Sequence, residues 1–109
     1  HVLEHVRDDR KAMRELHRIL KKTGCGILVV PMDLNQTEID EDPDCTDIGE
    51  RWRRFGQDDH VRKYSRAGYL ARLAEAGFQV LQFQKKYFGT QAMYENALTE
   101  TATVYIVVK

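Results

Sequence analysis

The stretch DDRKAMRELHRILKKTGCGILVVP, residues 8–31, constrains the fold more than any other part of the chain. Its two halves carry different hydrophobic periods. Ala12, Met13, Leu16, Ile19 and Leu20 recur at helical spacing and fall on one side of an amphipathic helix. Asp8 or Asp9 can cap the start of that helix and complement its dipole. Lys21 and Lys22 sit in its last turn, and Gly24 is placed as a left-handed stop. Ile27 to Val30 then form an unbroken apolar run, the pattern of a strand buried on both faces, and Pro31 ends it. Cys25, at the start of that strand, is expected to be a small core residue.

From Met32 to about Val61 no period persists. An acidic run comes first (Glu38, Asp40, Glu41, Asp42, Asp44, Asp47), then the basic run Arg51 to Arg54 with Trp52 inside it. A connection this long reads as a lid or binding loop, with a short helix near Gly49 to Phe55. Its acids can pair with Arg51, Arg53 and Arg54, while Trp52 and Phe55 pack the lid down. Asp40, Asp42 and Asp44 are spaced like the start of a calcium loop. The motif then fails, with Cys45 at its glycine and Arg51 at its bidentate glutamate. Ser65 can cap a second helix with Ala67, Leu70, Leu73 and Ala74 on its apolar side and Gly77 as its stop. Phe78, Val80 and Phe83 open a strand running towards Phe88, and Gly89 to Ala97 leans helical. Val104 to Val108 is apolar enough to lie at the centre of a sheet.

The parts are thus 1–31, 32–64 and 65–109, in one partial domain. The order helix, strand, long loop, helix, strand, strand makes the fold α/β with the last two strands antiparallel. Charge is balanced, with 17 basic and 17 acidic residues, which gives no global attraction to nucleic acid or an anionic membrane. No apolar run reaches the roughly 20 residues of a membrane helix. Two cysteines make no disulfide framework, so a reduced, cytoplasmic setting is expected.

Four segments together resemble the C-terminal half of class I S-adenosylmethionine-dependent methyltransferases of the type-11 kind. HVLEHV is similar to the tip of strand 4 and the loop after it. MRELHRILKKTGCGILVVP is similar to helix D and strand 5, with Thr23 and Cys25 where the family often has proline and glycine. YLARLAEAGFQV is similar to helix E and strand 6, and ATVYIVVK to strand 7. The resemblance implies a Rossmann-like sheet in which strand 7 inserts antiparallel between strands 5 and 6. It implies S-adenosylmethionine as cofactor and a small-molecule acceptor, with no nucleic acid and no membrane as partner. The glycine-rich turn after strand 1 and the ribose-holding acid after strand 2 have no counterpart here. GCG at 24–26 follows a helix and precedes a strand, the reverse of the cofactor-binding order. The chain therefore reads as starting within a fold, at His1, and the 109 residues alone are expected not to bind cofactor usefully.

Ligands of open α/β sheets bind beyond the carboxyl ends of the strands. The resemblance puts the loop after strand 4 there, so His1 is the candidate cofactor contact and Glu4 and His5 are candidate acceptor contacts. RFGQDDHVRKY is the densest cluster of functional side chains, and "F-G-x-x-D-H-x-R-x-Y" recurs in proteins it resembles. His60 or Asp59 is the candidate base for an acceptor N–H or O–H. Arg62 can clamp a carboxylate or phosphate, with Tyr64 beside it.

Two other readings compete. HVLEH is a literal H-x-x-E-H, the inverted zinc-peptidase signature. The capping acids arrive only after Arg7, so the motif precedes the helix and cannot present both histidines on one helical face; no metal site is assigned. The other reading is a truncated, non-catalytic interaction module. With no strand beside strand 5, an exposed edge would pair with a second copy into a homo-oligomer.

Overall fold

The computed structural model describes residues 1–109. Its elements in chain order are α1 (Asp9–Ile19), β1 (Cys25–Ile27), β2 (Asp40–Glu41), α2 (Ile48–Phe55) and β3 (Arg62–Lys63), then α3 (Arg66–Glu75), β4 (Gln79–Phe83), α4 (Lys85–Phe88), α5 (Thr90–Glu95) and β5 (Val104–Val108). They make an α/β fold with a three-stranded sheet in the order β1-β5-β4 and a separate pair β2-β3. β5 is antiparallel to both neighbours, with Ile27 opposite Ile106 and Phe83 opposite Val104. The last two strands therefore pair antiparallel as expected, and Val104–Val108 is central. No helix is long and apolar enough to cross a membrane.

Asp8 caps α1 by accepting from the Lys11 amide at 2.9 Å, so the helix begins after HVLEH. Met13 is wholly buried, and Leu16 and Leu20 pack beside it. The end of the helix departs from expectation. Leu20, in extended conformation, closes it, and Gly24 is not left-handed. Gly77 does stop α3 as expected: its φ is +99°, and a Cβ there would meet the His17 ring at 3.0 Å.

The first strand is shorter and less buried than its sequence suggests. Its ladder is Cys25–Ile27, not Ile27–Val30. Cys25 is exposed, Ile27 is 65% exposed, and of the apolar run only Val30 is buried. The physical reason is that β1 has a neighbour on one side only. An open apolar groove of about 510 Å³ follows that uncovered side, lined by Leu3, Leu16, Ile19, Ile27, Leu28 and Val29.

The stretch 32–64 is a folded unit that contains the expected short helix, α2. Asp47 caps α2 by accepting from the Glu50 amide at 2.7 Å. Arg54 holds Asp40 at 2.5 Å and Asp42 at 3.4 Å, and Arg53 holds Glu50 at 2.5 Å. Arg51 turns away from the acids and donates to the Cys45 and Asp58 carbonyls, at 2.8 and 3.0 Å. Phe55 is buried, but Trp52 is 56% exposed and packs nothing down. α3 buries Tyr69, Arg72 and Leu73 in place of Ala67 and Ala74, because Arg72 finds carboxylate partners inside. β4 ends at Phe83, and α4 occupies the stretch to Phe88. The core gathers Leu3, Met13, Val30, Tyr64, Tyr69, Leu73, Phe78, Tyr105 and Val107. Its tyrosines meet edge to face, Tyr64 with Tyr69 at 5.0 Å and Tyr69 with Tyr105 at 5.4 Å.

Candidate functional site

Two segments more than fifty residues apart, 1–7 and 58–64, are joined into one body. The Val61 amide donates to the Glu4 carbonyl at 2.9 Å. The Arg62 side chain does more. Its Nη1 donates to the carbonyls of Leu3 and Val6 at 2.6 and 2.5 Å, its Nη2 to that of Arg7 at 2.9 Å, and its Nε to Glu41 at 3.1 Å. It is buried, and every guanidinium nitrogen is engaged by the chain itself. Arg62 is therefore a brace for the first loop and not the anion clamp its sequence context suggests.

Tyr64 is corrected in the same way. It is fully buried and its hydroxyl donates to Asp9. Burial, then the Asp9 hydrogen bond, push that hydroxyl well above its ordinary ionisation range, so it stays a neutral donor. Asp9 also accepts from Arg72 at 2.6 Å, and Arg72 holds Glu41 at 2.5 Å. The Arg72 hydrogen bond keeps the Glu41 carboxyl below the usual range, against an opposing burial effect. Sequence reasoning missed this ring of Asp9, Glu41 and Arg72. Asp9 looks like a helix-start acid, and nothing local marks Arg72 as buried.

The braced loops bring Glu4, His5, Asp59 and His60 together, with His1 at the rim. Glu4 is 1% exposed. One of its oxygens, Oε1, lies 3.2 Å from His1 Nδ1 and 3.6 Å from His5 Nε2, while Oε2 has no partner. Asp59 Oδ2 lies 3.2 Å from His5 Nδ1. His60 is buried, with Nδ1 3.2 Å from the Phe55 carbonyl oxygen. A carbonyl only accepts, so His60 Nδ1 carries a proton, and in the neutral ring the lone pair is on Nε2. The His5 and His60 rings meet edge-on, with centroids 4.6 Å apart.

The expected pairing of Asp59 and His60 as alternative bases is thereby rearranged. Asp59 orients His5, and His60 stacks behind. Of the facing pair His5 and His60, His5, one-third exposed, is the one with access to solvent. His1 is exposed and also lines a cleft of about 310 Å³ with Val29 to Met32, Leu98 and Tyr105. That cleft lies just past the carboxyl end of β1, where β5 begins.

Comparison of the chain with protein-family models, with curated proteins and with solved structures gives no match.

Proposed function

We propose that this chain is the acceptor-side part of an S-adenosylmethionine-dependent methyltransferase. One observation carries the reading. β1 and β4 point the same way, each preceded by a helix, and β5 lies antiparallel between them. This order agrees with the 5-7-6 arrangement implied by the resemblance of MRELHRILKKTGCGILVVP, YLARLAEAGFQV and ATVYIVVK. The cleft beyond β1 adds support, since ligands of such sheets bind past the carboxyl ends of the strands.

The residues fit one end of the cofactor only. The cleft is mostly apolar with His1 at its rim, and its lining includes no acid for a ribose. S-adenosylmethionine supplies an electrophilic methyl group. What this chain supplies is position and proton acceptance. His5, held by Asp59, offers Nε2 to the proton of a small-molecule N–H or O–H nucleophile. Buried Glu4 and His60 keep water from the far side of that nitrogen. The two unpaired cysteines fit a cytoplasmic setting for such an enzyme. The test is calorimetric titration of S-adenosylmethionine into the product of the whole reading frame, followed by methyl-transfer assays on small N–H and O–H acceptors.

A second reading, a non-catalytic module that pairs with its own copy, has its own observation. β1 leaves one edge free beside the apolar groove, where Ile19 and Ile27 are each more than half exposed.

A further inference from the structure

We propose that Glu4, His5 and His60 form a binding site for one divalent first-row transition cation of the zinc type. The inference stands on the geometry of the cluster and holds whether or not the domain transfers methyl groups. One ligand atom from each residue lies within 4.8 Å of the other two. Two imidazoles and one carboxylate are a donor set that binds zinc while leaving coordination positions open.

Three features make this a built site. His5 Nδ1 lies 3.2 Å from Asp59 Oδ2, and His60 Nδ1 is hydrogen-bonded to the Phe55 carbonyl oxygen at 3.2 Å. A carboxylate and a backbone carbonyl are the usual outer partners of metal-binding histidines, and they leave Nε2 free as the ligand. Glu4 is 1% exposed and its Oε2 lacks any hydrogen-bond partner, an arrangement costly to keep without a cation. His5 Nε2 faces Glu4 Oε1 at 3.6 Å, so two of the donor atoms already converge. Zinc bonds of about 2.0–2.2 Å would place ligand atoms roughly 3.4 Å apart, so side-chain rotations of about an ångström close the site.

The site is not the inverted zinc-peptidase arrangement that HVLEH spells. His1 and His5 both lie ahead of α1, His5 in a turn, and the second imidazole comes from His60. Glu4 is a ligand here and not a base. With a cation bound, His5 Nε2 would be a ligand, and the cation would lower the pKa of a nucleophile on an open position so that its proton passes to solvent.

The test uses protein purified without a polyhistidine tag, stripped by chelator and titrated with Zn²⁺ and Co²⁺. The expected result is one saturable site per chain. Co²⁺ should show ligand-field bands and no thiolate charge-transfer band. His5→Gln and His60→Gln should abolish the site, Asp59→Asn should weaken it at least about tenfold through its outer-partner role, and joint Cys25→Ser and Cys45→Ser should leave it intact. If His60→Gln unfolds, the more exposed His5 and Asp59 variants decide. Absence of saturable binding by the folded protein overturns the proposal. Binding that survives His5→Gln, or that disappears with the cysteines, overturns it equally.

Discussion

Asp59 Oδ2 sits 3.2 Å from His5 Nδ1, joining two segments that lie 54 residues apart in the sequence. The carboxylate favours a proton on the facing Nδ1, which in the neutral ring leaves the lone pair on Nε2. In the enzyme reading, Asp59→Asn should lower kcat with little change in KM, because a carboxamide no longer enforces that tautomer. His5→Gln should cost more, within the roughly 10²–10⁴-fold range of a positioned acid–base group. A pH–rate profile checks this, since loss of the imidazole should remove one of its limbs.

Arg62 holds the first loop in place, so its loss should be read in stability. Arg62→Ala leaves the carbonyls of Leu3, Val6 and Arg7 without their donor and removes a partner of Glu41. The expected cost is about 3–5 kcal/mol, as for breaking one side of a buried ionic network. Urea denaturation of the variant measures it. A variant that melts like the parent would show that Arg62 is not a brace.

Stability should fall at both ends of the pH range, for different reasons. Glu41 has a folded-state pKa below its ordinary 4.5, chiefly through the Arg72 hydrogen bond. Its contribution is present above 4.5 and is lost as pH falls through the lower, folded value. Tyr64 is shifted the other way, from an ordinary 10.0, by burial and then Asp9. Its contribution is whole below 10.0 and declines as pH climbs past that value. Glu41→Gln should flatten the acid limb and Tyr64→Phe the alkaline limb in denaturation curves taken across pH.

Much of the fold is legible in the sequence because local chemistry and tertiary role agree there. Asp8 caps α1, Ser65 caps α3 by accepting from the Gly68 amide, and Gly77 stops α3 in the conformation glycine permits. The central place of Val104–Val108 follows from its continuous apolar run, and its antiparallel pairing with β4 from the order of the elements. The failures occur where burial depends on distant partners. Ile27 reads as core and is exposed, because exposure is set by what lies beside β1 and not by Ile27. Arg62 reads as a substrate-binding charge and nothing local marks Arg72, yet both are buried, because Leu3, Val6, Arg7, Asp9 and Glu41 meet them inside. The site residues Glu4, His5, Asp59 and His60 could each be picked out by type. Their convergence could not, since no spacing rule links residue 5 to residue 60.

The free edge of β1 carries its own prediction. If the module reading holds, light scattering at high concentration should give twice the chain mass, and Ile27→Lys should return a monomer by placing charge on the exposed apolar face. A strictly monomeric parent would count against pairing through this edge.

The central claim is that residues 1–109 complete a methyltransferase without themselves holding the nucleoside. Calorimetric titration of S-adenosylmethionine into two proteins, the product of the whole reading frame and the isolated 109-residue chain, tests it most directly. The account predicts micromolar, one-to-one binding by the first and no measurable binding by the second. Absence of binding by the first, with the protein folded, would contradict the methyltransferase assignment, and micromolar binding by the second would contradict the division of labour read from its sequence.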